Sequence, residues 1–348
     1  MGKINIGIIG CGYWGPNFVR NFNQIKGVSV KYVCDLSPER LSHIKKIYPD
    51  IITTRDYLSV LRDKDIAGVI VATPASRHYR LAREALIYKK NILVEKPIAM
   101  DINEARKLIK LAADKKKVLM VGHTFKFNPS VIKLRELIKS GSLGRIYYVY
   151  SRRTNLGPLR KDANAVWDLA PHDISIMNFI LDKNPLSVSA QGAKYLPHNL
   201  EDIAFISLNY PNQILAHIHV SWLDPKKTRE IVVVGSKKMA VFDDLSMETP
   251  ISVYDKSVMK KRFKQDYDSF EEFQMIIKNG NVQTPQVKKE EPLGAECRHF
   301  IECIRKNKSP LTDGKDGLEV LKVLVGIHRS LSNNGKRFPL KQENRLWR

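Results

Sequence analysis

The chain has 348 residues, 43% hydrophobic and 27% charged, with 19 Gly and 17 Pro. That composition excludes collagen-like, low-complexity and wholly disordered classes, and the length suits about two domains, each able to bury its own core. The net charge of +22 is spread along the chain (Lys89-Lys90, Lys115 to Lys117, Lys226-Lys227, Lys237-Lys238, Lys260 to Arg262) rather than gathered on one element with interleaved aromatics. This distribution argues against a nucleic-acid partner and fits a solvated surface or an anionic small substrate. No run approaches the ~18 apolar residues of a membrane helix, so no membrane partner is expected.

The apolar run after Met1 leads into a glycine turn instead of a small-residue cleavage site, and reads as a strand rather than a signal peptide. The first 120 residues then alternate strands and helical patterns. Strands are expected at 4–9, 28–34, 68–72, 91–94 and 118–122. Helices are expected at 15–25, 38–47, 77–87 and 102–113. This βαβ grammar predicts a doubly wound parallel sheet over residues 1–122.

Past residue 122 the grammar changes. A helix at 130–139 stops at Gly141, a residue suited to a left-handed cap. Strands follow at 145–153, 186–195, 202–210, 213–222, 229–235 and 239–243, with one strong helix at 172–181. Pro211-Asn212 reads as the turn between two of these strands. Residues 255–290 are Lys/Glu/Gln-rich and poorly periodic, and read as an excursion or loop. Helices at 292–306 and 316–332 close the chain, the second expected to pack back on the first domain. Residues 123–348 are thus a second, α+β domain with an open, mostly antiparallel sheet.

Gly10-Cys11-Gly12-Tyr13-Trp14-Gly15 follows a strand and opens a helix, the context in which G-x-G-x-x-G cradles a pyrophosphate at a helix N-terminus. Asp35 stands twenty residues past Gly15, at the end of the second strand. A carboxylate there accepts from an adenine ribose and repels a 2′-phosphate. No Arg follows at once in Leu36-Ser37-Pro38, so NAD is favoured over NADP. Thr73-Pro74 ends the third strand, where ligands sit in such sheets, and His78 begins the next helix. Glu95-Lys96-Pro97 ends the fourth strand. A lysine at that place is costly unless it faces a cleft, and the bond to Pro97 can be cis. In Trp167-Asp168-Leu169-Ala170-Pro171-His172, Asp168 and His172 are four apart and share a helix face, with Pro171 placed in a first turn. A carboxylate beside an imidazole orients it and makes it more basic, as proton removal from an alcohol requires. His217 and His219 alternate on one strand face and read as structural. Four cysteines (Cys11, Cys34, Cys297, Cys303) form no metal-like spacing, so no metal is expected and reduced, cytoplasmic thiols are.

Taken in order, these motifs resemble the Gfo/Idh/MocA oxidoreductases. The resemblance spans essentially the whole chain and extends to Gly141-Ser-Leu-Gly144-Arg145-Ile146 and to Pro310-Leu-Thr-Asp-Gly-Lys-Asp-Gly317-Leu318. It implies a Rossmann domain plus an open-sheet domain that makes dimers or tetramers, and oxidation or reduction of a ring hydroxyl with NAD(P). The family lysine falls on Lys96 and its Asp and His on Asp168 and His172; Pro171 stands where many members have glycine. It implies cofactor contacts from Gly10, Gly12, Tyr13, Trp14, Gly15, Asp35, Thr73, Pro74, His78, Glu95 and Lys96. Gly122 to Pro129, Thr154-Asn155-Leu156-Gly157 and Ser221-Trp222-Leu223-Asp224-Pro225 are similar to a narrower branch that oxidises C3 of UDP-N-acetylglucosamine for a partner aminotransferase. Arg152, Arg153 and Arg160 suit the diphosphate of such a substrate. Lys96, Arg153, Asn155, Asp168 and His172 are the expected substrate contacts, and which of Lys96 and His172 is the base stays open. A free sugar or inositol, and a non-catalytic sugar-nucleotide binder, are the alternatives.

Overall fold

The computed structural model describes residues 3–157, 163–197, 199–262 and 273–341. Apolar runs of four to seven residues form the inner strands of a parallel sheet, because such strands are covered on both faces. In chain order these are β1 (Ile4–Ile9), α1 (Trp14–Asn23), β2 (Val28–Cys34), α2 (Pro38–Ile47), β3 (Ile52–Thr54), α3 (Tyr57–Arg62), β4 (Ile66–Val71), α4 (His78–Ile87), β5 (Asn91–Glu95), α5 (Ile102–Asp114) and β6 (Leu119–Gly122). The strand order β3-β2-β1-β4-β5-β6, parallel throughout, puts the topological switch point between β1 and β4. β3 and α3 are too short to register in the sequence pattern. Phe18, Val19 and Phe22 of α1 lie against Ile6, Ile8 and Val30 in a fully buried core.

The chain goes on through α6 (Pro129–Lys139), β7 (Ile146–Thr154), α7 (Ala165–Leu181), β8 (Ser187–Ala193), β9 (Ile203–Asn209), β10 (Leu215–Ser221), β11 (Thr228–Gly235), β12 (Met239–Asp243), β13 (Ile251–Arg262), β14 (Phe273–Gln283), α8 (Pro292–Lys306), α9 (Gly314–Leu331) and β15 (Phe338–Pro339). The second sheet runs β14-β13-β12-β11-β7-β10-β9-β8-β15. Its pairings are antiparallel except β7 with β10. Pro211–Gln213 makes the expected turn between β9 and β10, with Asn212 at φ 63°.

Two sequence expectations are corrected. Much of 255–290 is not a loop, because β13 and β14 pair antiparallel from Val253 with Gln283 to Arg262 with Phe273. The helix expected at 172–181 starts at Ala165, capped by Asn164, whose side chain accepts from Trp167 N at 3.0 Å. Pro171 therefore lies inside α7 and not in its first turn.

The chain divides into two compact units, Met1–Asn128 with Glu290–Val325, and Pro129–Lys289 with Gly326–Arg348. The first unit thus extends past residue 122 and takes in α8 and most of α9. Phe300 and Leu293 of α8 join the core around Phe18 and Phe22.

Candidate functional site

In the first unit, β1 ends at a backbone reversal that only glycine accepts. Gly10 has φ +100°, and a Cβ on it would lie 2.4 Å from Ala72 O. A Cβ on Gly15 would lie 2.4 Å from Gly10 O, whereas one on Gly12 would meet only the Arg40 guanidinium at 4.0 Å. The first and third glycines close the turn and seat α1, and the second leaves the backbone open to approach. The N-terminus of α1 has no side-chain cap and no acid in its first turn, so its N–H groups are available to an anion. Tyr13 is 81% exposed beside Trp14, the two rings meeting edge-on at 5.2 Å. This cradle fits the pyrophosphate of NAD.

Asp35 follows β2 and is tied to the cradle. Its Oδ2 accepts from Cys11 N at 2.6 Å and its Oδ1 from Ser37 N at 2.9 Å. Arg40 Nη1 stands 3.6 Å from Asp35 Oδ2. The sequence reading looked for an arginine only in the next three residues and missed Arg40, which α2 turns back toward the carboxylate. The carboxylate keeps lone pairs for ribose hydroxyls beyond these bonds.

At the ends of β4 and β5 the residues divide. Thr73 is part-exposed and Pro74 exposed at the sheet's carboxyl edge. His78 is buried instead, with Nδ1 2.7 Å from Pro97 O and Nε2 2.8 Å from Thr73 O. Both ring nitrogens face backbone carbonyls, so His78 braces the two strand ends. Lys96 is half-buried and its bond to Pro97 is cis. Glu95 is buried, accepts from Lys96 N at 3.2 Å, and is pushed up to about 7 by burial, against the pull of Lys96.

In the second unit, Asp168 and His172 lie one turn apart on α7 and both are half-buried. The buried Trp222, just past β10, donates from Nε1 to Asp168 Oδ2 at 3.2 Å and fixes the carboxylate. That partner was not read from the sequence, although its motif was. Arg153, an expected substrate contact, lies against α7. It is 3% exposed, and its guanidinium forms a two-pronged pair with the buried Asp173, at 2.7 and 3.2 Å. The pair sits beside His172 on α7. Asn155 is likewise engaged in its own loop. Its Oδ1 accepts from Arg229 Nη2 at 2.6 Å and its Nδ2 donates to Gly157 O.

Arg229 is the cation that sequence reasoning missed here. It also donates to Thr154 O and Thr228 O, and burial and the nearby Arg153 charge hold its pKa below the usual arginine value. Arg152 alternates with Arg153 on β7 and is exposed on the other sheet face, where its Nη2 donates to Thr228 Oγ1. There it lines a cavity of about 390 Å³ with Lys226, Lys227 and Glu230. His217 and His219 flank Phe205 at 6.1 and 4.5 Å, a structural stack. Arg160 and His198 lie outside the described residues. Among the described residues, no cluster of ligands could hold a metal ion.

Comparison with known proteins sets these features in a family. Residues 4–123 match the oxidoreductase family's NAD-binding Rossmann fold, and residues 131–241 match the GFO/IDH/MocA C-terminal domain. An uncharacterized oxidoreductase, YrbE of Bacillus subtilis, is 25% identical over 346 residues, 95% of each chain. An inositol 2-dehydrogenase of Rhodococcus erythropolis is 28% identical over 289 residues, 79% of this chain and 83% of its own. Among solved structures, the UDP-N-acetylglucosamine 3-dehydrogenase GnnA of Acidithiobacillus ferrooxidans superposes with TM-score 0.78 at 20% identity, covering 96% of this chain and 99% of its own. The WlbA dehydrogenase of Bordetella pertussis, in complex with NADH and UDP-GlcNAcA, gives 0.78 at 21%, covering 98% and 100%. At these identities the structural likenesses establish the fold.

Proposed function

The chain belongs to the Gfo/Idh/MocA oxidoreductase family, and from that premise we propose that it oxidises a ring hydroxyl, C3 of a nucleotide sugar such as UDP-N-acetylglucosamine, and so prepares it for an aminotransferase. When bound, NAD supplies the hydride acceptor. The turn Gly10 to Gly15 and Asp35 hold its adenosine half, with Tyr13, Trp14, Thr73 and Pro74 beside it. In this reading His172 takes the hydroxyl proton, and Lys96 serves as a hydrogen-bond donor to substrate. Base assistance of this kind is worth roughly 10²–10⁴-fold in rate. The observation that carries the reading is the fixing of Asp168 by the buried Trp222 one helical turn from His172. A carboxylate held in place there shares a helix face with the imidazole.

The nucleotide part of the substrate is supported by likeness to the nucleotide-sugar enzymes and by the basic surface. A second reading, oxidation of a free sugar or inositol, is favoured by the closure of Arg153 on Asp173, which removes one expected phosphate ligand, and by the inositol dehydrogenase relative. Purified protein with NAD, assayed at the nicotinamide absorbance against UDP-hexoses and free polyols, separates the two. Reduction with UDP-N-acetylglucosamine and none with polyols supports the first; the reverse establishes the second.

We further propose a homodimer or homotetramer built on the open face of the second sheet, where Tyr148, Tyr150, Phe205 and Leu215 are 38–50% exposed. Sedimentation at micromolar concentration as a monomer would contradict it. A cytoplasmic setting is proposed from the four free cysteines, all buried.

A further inference from the structure

The Lys115 to Lys117 run and the Pro310 to Leu318 stretch, far apart in sequence, meet within the first unit. The second stretch is laid along β6: Val121 N donates to Thr312 O at 2.8 Å, and Thr312 Oγ1 to Val121 O at 2.7 Å. α5 ends at Asp114, and Lys116, at φ 52°, lies in the turn that leads back to β6. Between the two stretches is a cavity of about 250 Å³. Its buried lining is apolar, with Ala112 and Leu119 4% and 5% exposed. Its remaining lining is cationic, from Lys116, Lys117, Lys308 and Lys315. The cavity adjoins the start of β6, and so lies at the amino edge of the parallel sheet. The Gly10 turn follows β1 at the carboxyl edge.

The charges around this cavity do not cancel. Lys308 is paired with Glu302 at 2.9 Å. Among the described residues lining the cavity, Asp313 is the one carboxylate, and the turn it opens already engages it. Its Oδ1 accepts from Asp316 N at 2.9 Å and its Oδ2 from Ser309 Oγ at 3.5 Å. Lys116, Lys117 and Lys315 form no ion pair among the described residues. Lysines that follow a helix favour its C-terminal dipole, which accounts for Lys116 and Lys117 beyond α5. Lys315 stands in the first turn of α9, the end at which a cation is unfavourable. Asp313 set against these three lysines leaves an excess of two positive charges around one cavity, and like charges held together repel. A phosphate monoester carries about −1.5 to −2 at neutral pH, and lysine binds phosphate as a point charge.

We infer that this cavity is a binding site for a small phosphate monoester, its phosphate held by Lys116, Lys117 and Lys315 and its organic part lying on Ala112 and Leu119. The volume falls below the usual range for drug-sized ligands, so the ligand is small. The site goes beyond the proposed reaction and does not depend on its substrate.

The experiment is reductive methylation of the full-length chain with formaldehyde and cyanoborohydride, with phenyl phosphate as the probe. The rate at each lysine is read by peptide mass. At about ten times the half-saturating probe concentration, Lys117 and Lys315 are expected to react about tenfold more slowly, as occupancy dictates. Lys115, which does not line the cavity, is expected to stay within about twofold of its unprotected rate. Lys315→Gln should raise the probe concentration that protects Lys117 about tenfold, the loss of one charge-assisted bond. It should melt no lower than wild type, because the lysine it removes opposes the helix dipole. No protection at about 10 mM probe, where a millimolar site is filled, or equal slowing of Lys115, would overturn the inference. So would a Lys315→Gln chain that is protected like wild type or melts below it. Inorganic phosphate protecting at the same concentration as the ester would overturn it in favour of a bare-ion site.

Discussion

Arg153 and Arg152 are neighbours in sequence with opposite fates, and strand alternation decides between them. On β7 the odd positions Val149, Ser151 and Arg153 are buried, so Arg153 points at α7 and Arg152 at solvent. Removing one partner of a buried pair strands a charge; Arg153→Ala should therefore lower stability by about 3–5 kcal/mol in urea titration. Asp35 gives a prediction on the cofactor. Asp35→Ala removes the ribose acceptor and releases Arg40, so NAD affinity should fall about tenfold to a hundredfold while NADP binding appears, as read by fluorescence titration. Unchanged NAD affinity would refute the ribose role. Asp35 and the glycines were legible in the sequence because their chemistry is local to one βαβ unit. The burial of Arg153 was legible in principle, since the alternation was there, but its partner Asp173 becomes apparent only when α7 crosses the strand.

At the scale of elements, α7 carries the proposed base and was read seven residues too short. Pro171 lacks the N–H that would bond Trp167 O, and in sequence such a residue marks a helix start. Inside α7 it costs one bond, and the Asn164 cap and fourteen buried residues of the helix hold it regardless. Asn164→Ala should cost about 1 kcal/mol in urea titration and loosen Asp168 with it. β13 and β14 escaped notice because Lys, Asn and Gln dilute their alternation, and a hairpin's stability lies in cross-strand pairing that a one-dimensional pattern does not display. The buried acids of β5 and α8 set the pH dependence of the first unit. With Glu95 raised from 4.5 to about 7, the unfolded chain ionises before the folded one. This contribution is absent below pH 4.5 and costs stability progressively up to about 7, on the order of 3 kcal/mol. Glu296, likewise raised well above its ordinary value by burial, adds to the loss. His123 acts in the opposite sense, its depressed value costing stability as pH falls below 6.5. Glu296→Gln should thus raise the melting temperature near pH 8 and leave it nearly unchanged near pH 4, by calorimetry.

At the scale of the whole chain, family and cofactor were legible because a few short motifs recur in fixed order along 348 residues. The substrate was not, because sugar recognition depends on side chains whose bonds, like those of Asn155 and Arg229, are made across the fold. The net charge of +22 attracts an anionic substrate at long range, so the on-rate for a UDP-sugar should fall as salt rises. The most direct test of the central claim is NAD reduction with UDP-N-acetylglucosamine by wild type, His172→Ala and Lys96→Ala, alongside NAD binding by each. Turnover by wild type, lost roughly 10²–10⁴-fold in both variants with NAD affinity retained, is the expected result. Full turnover in either variant, or none in wild type, would contradict it.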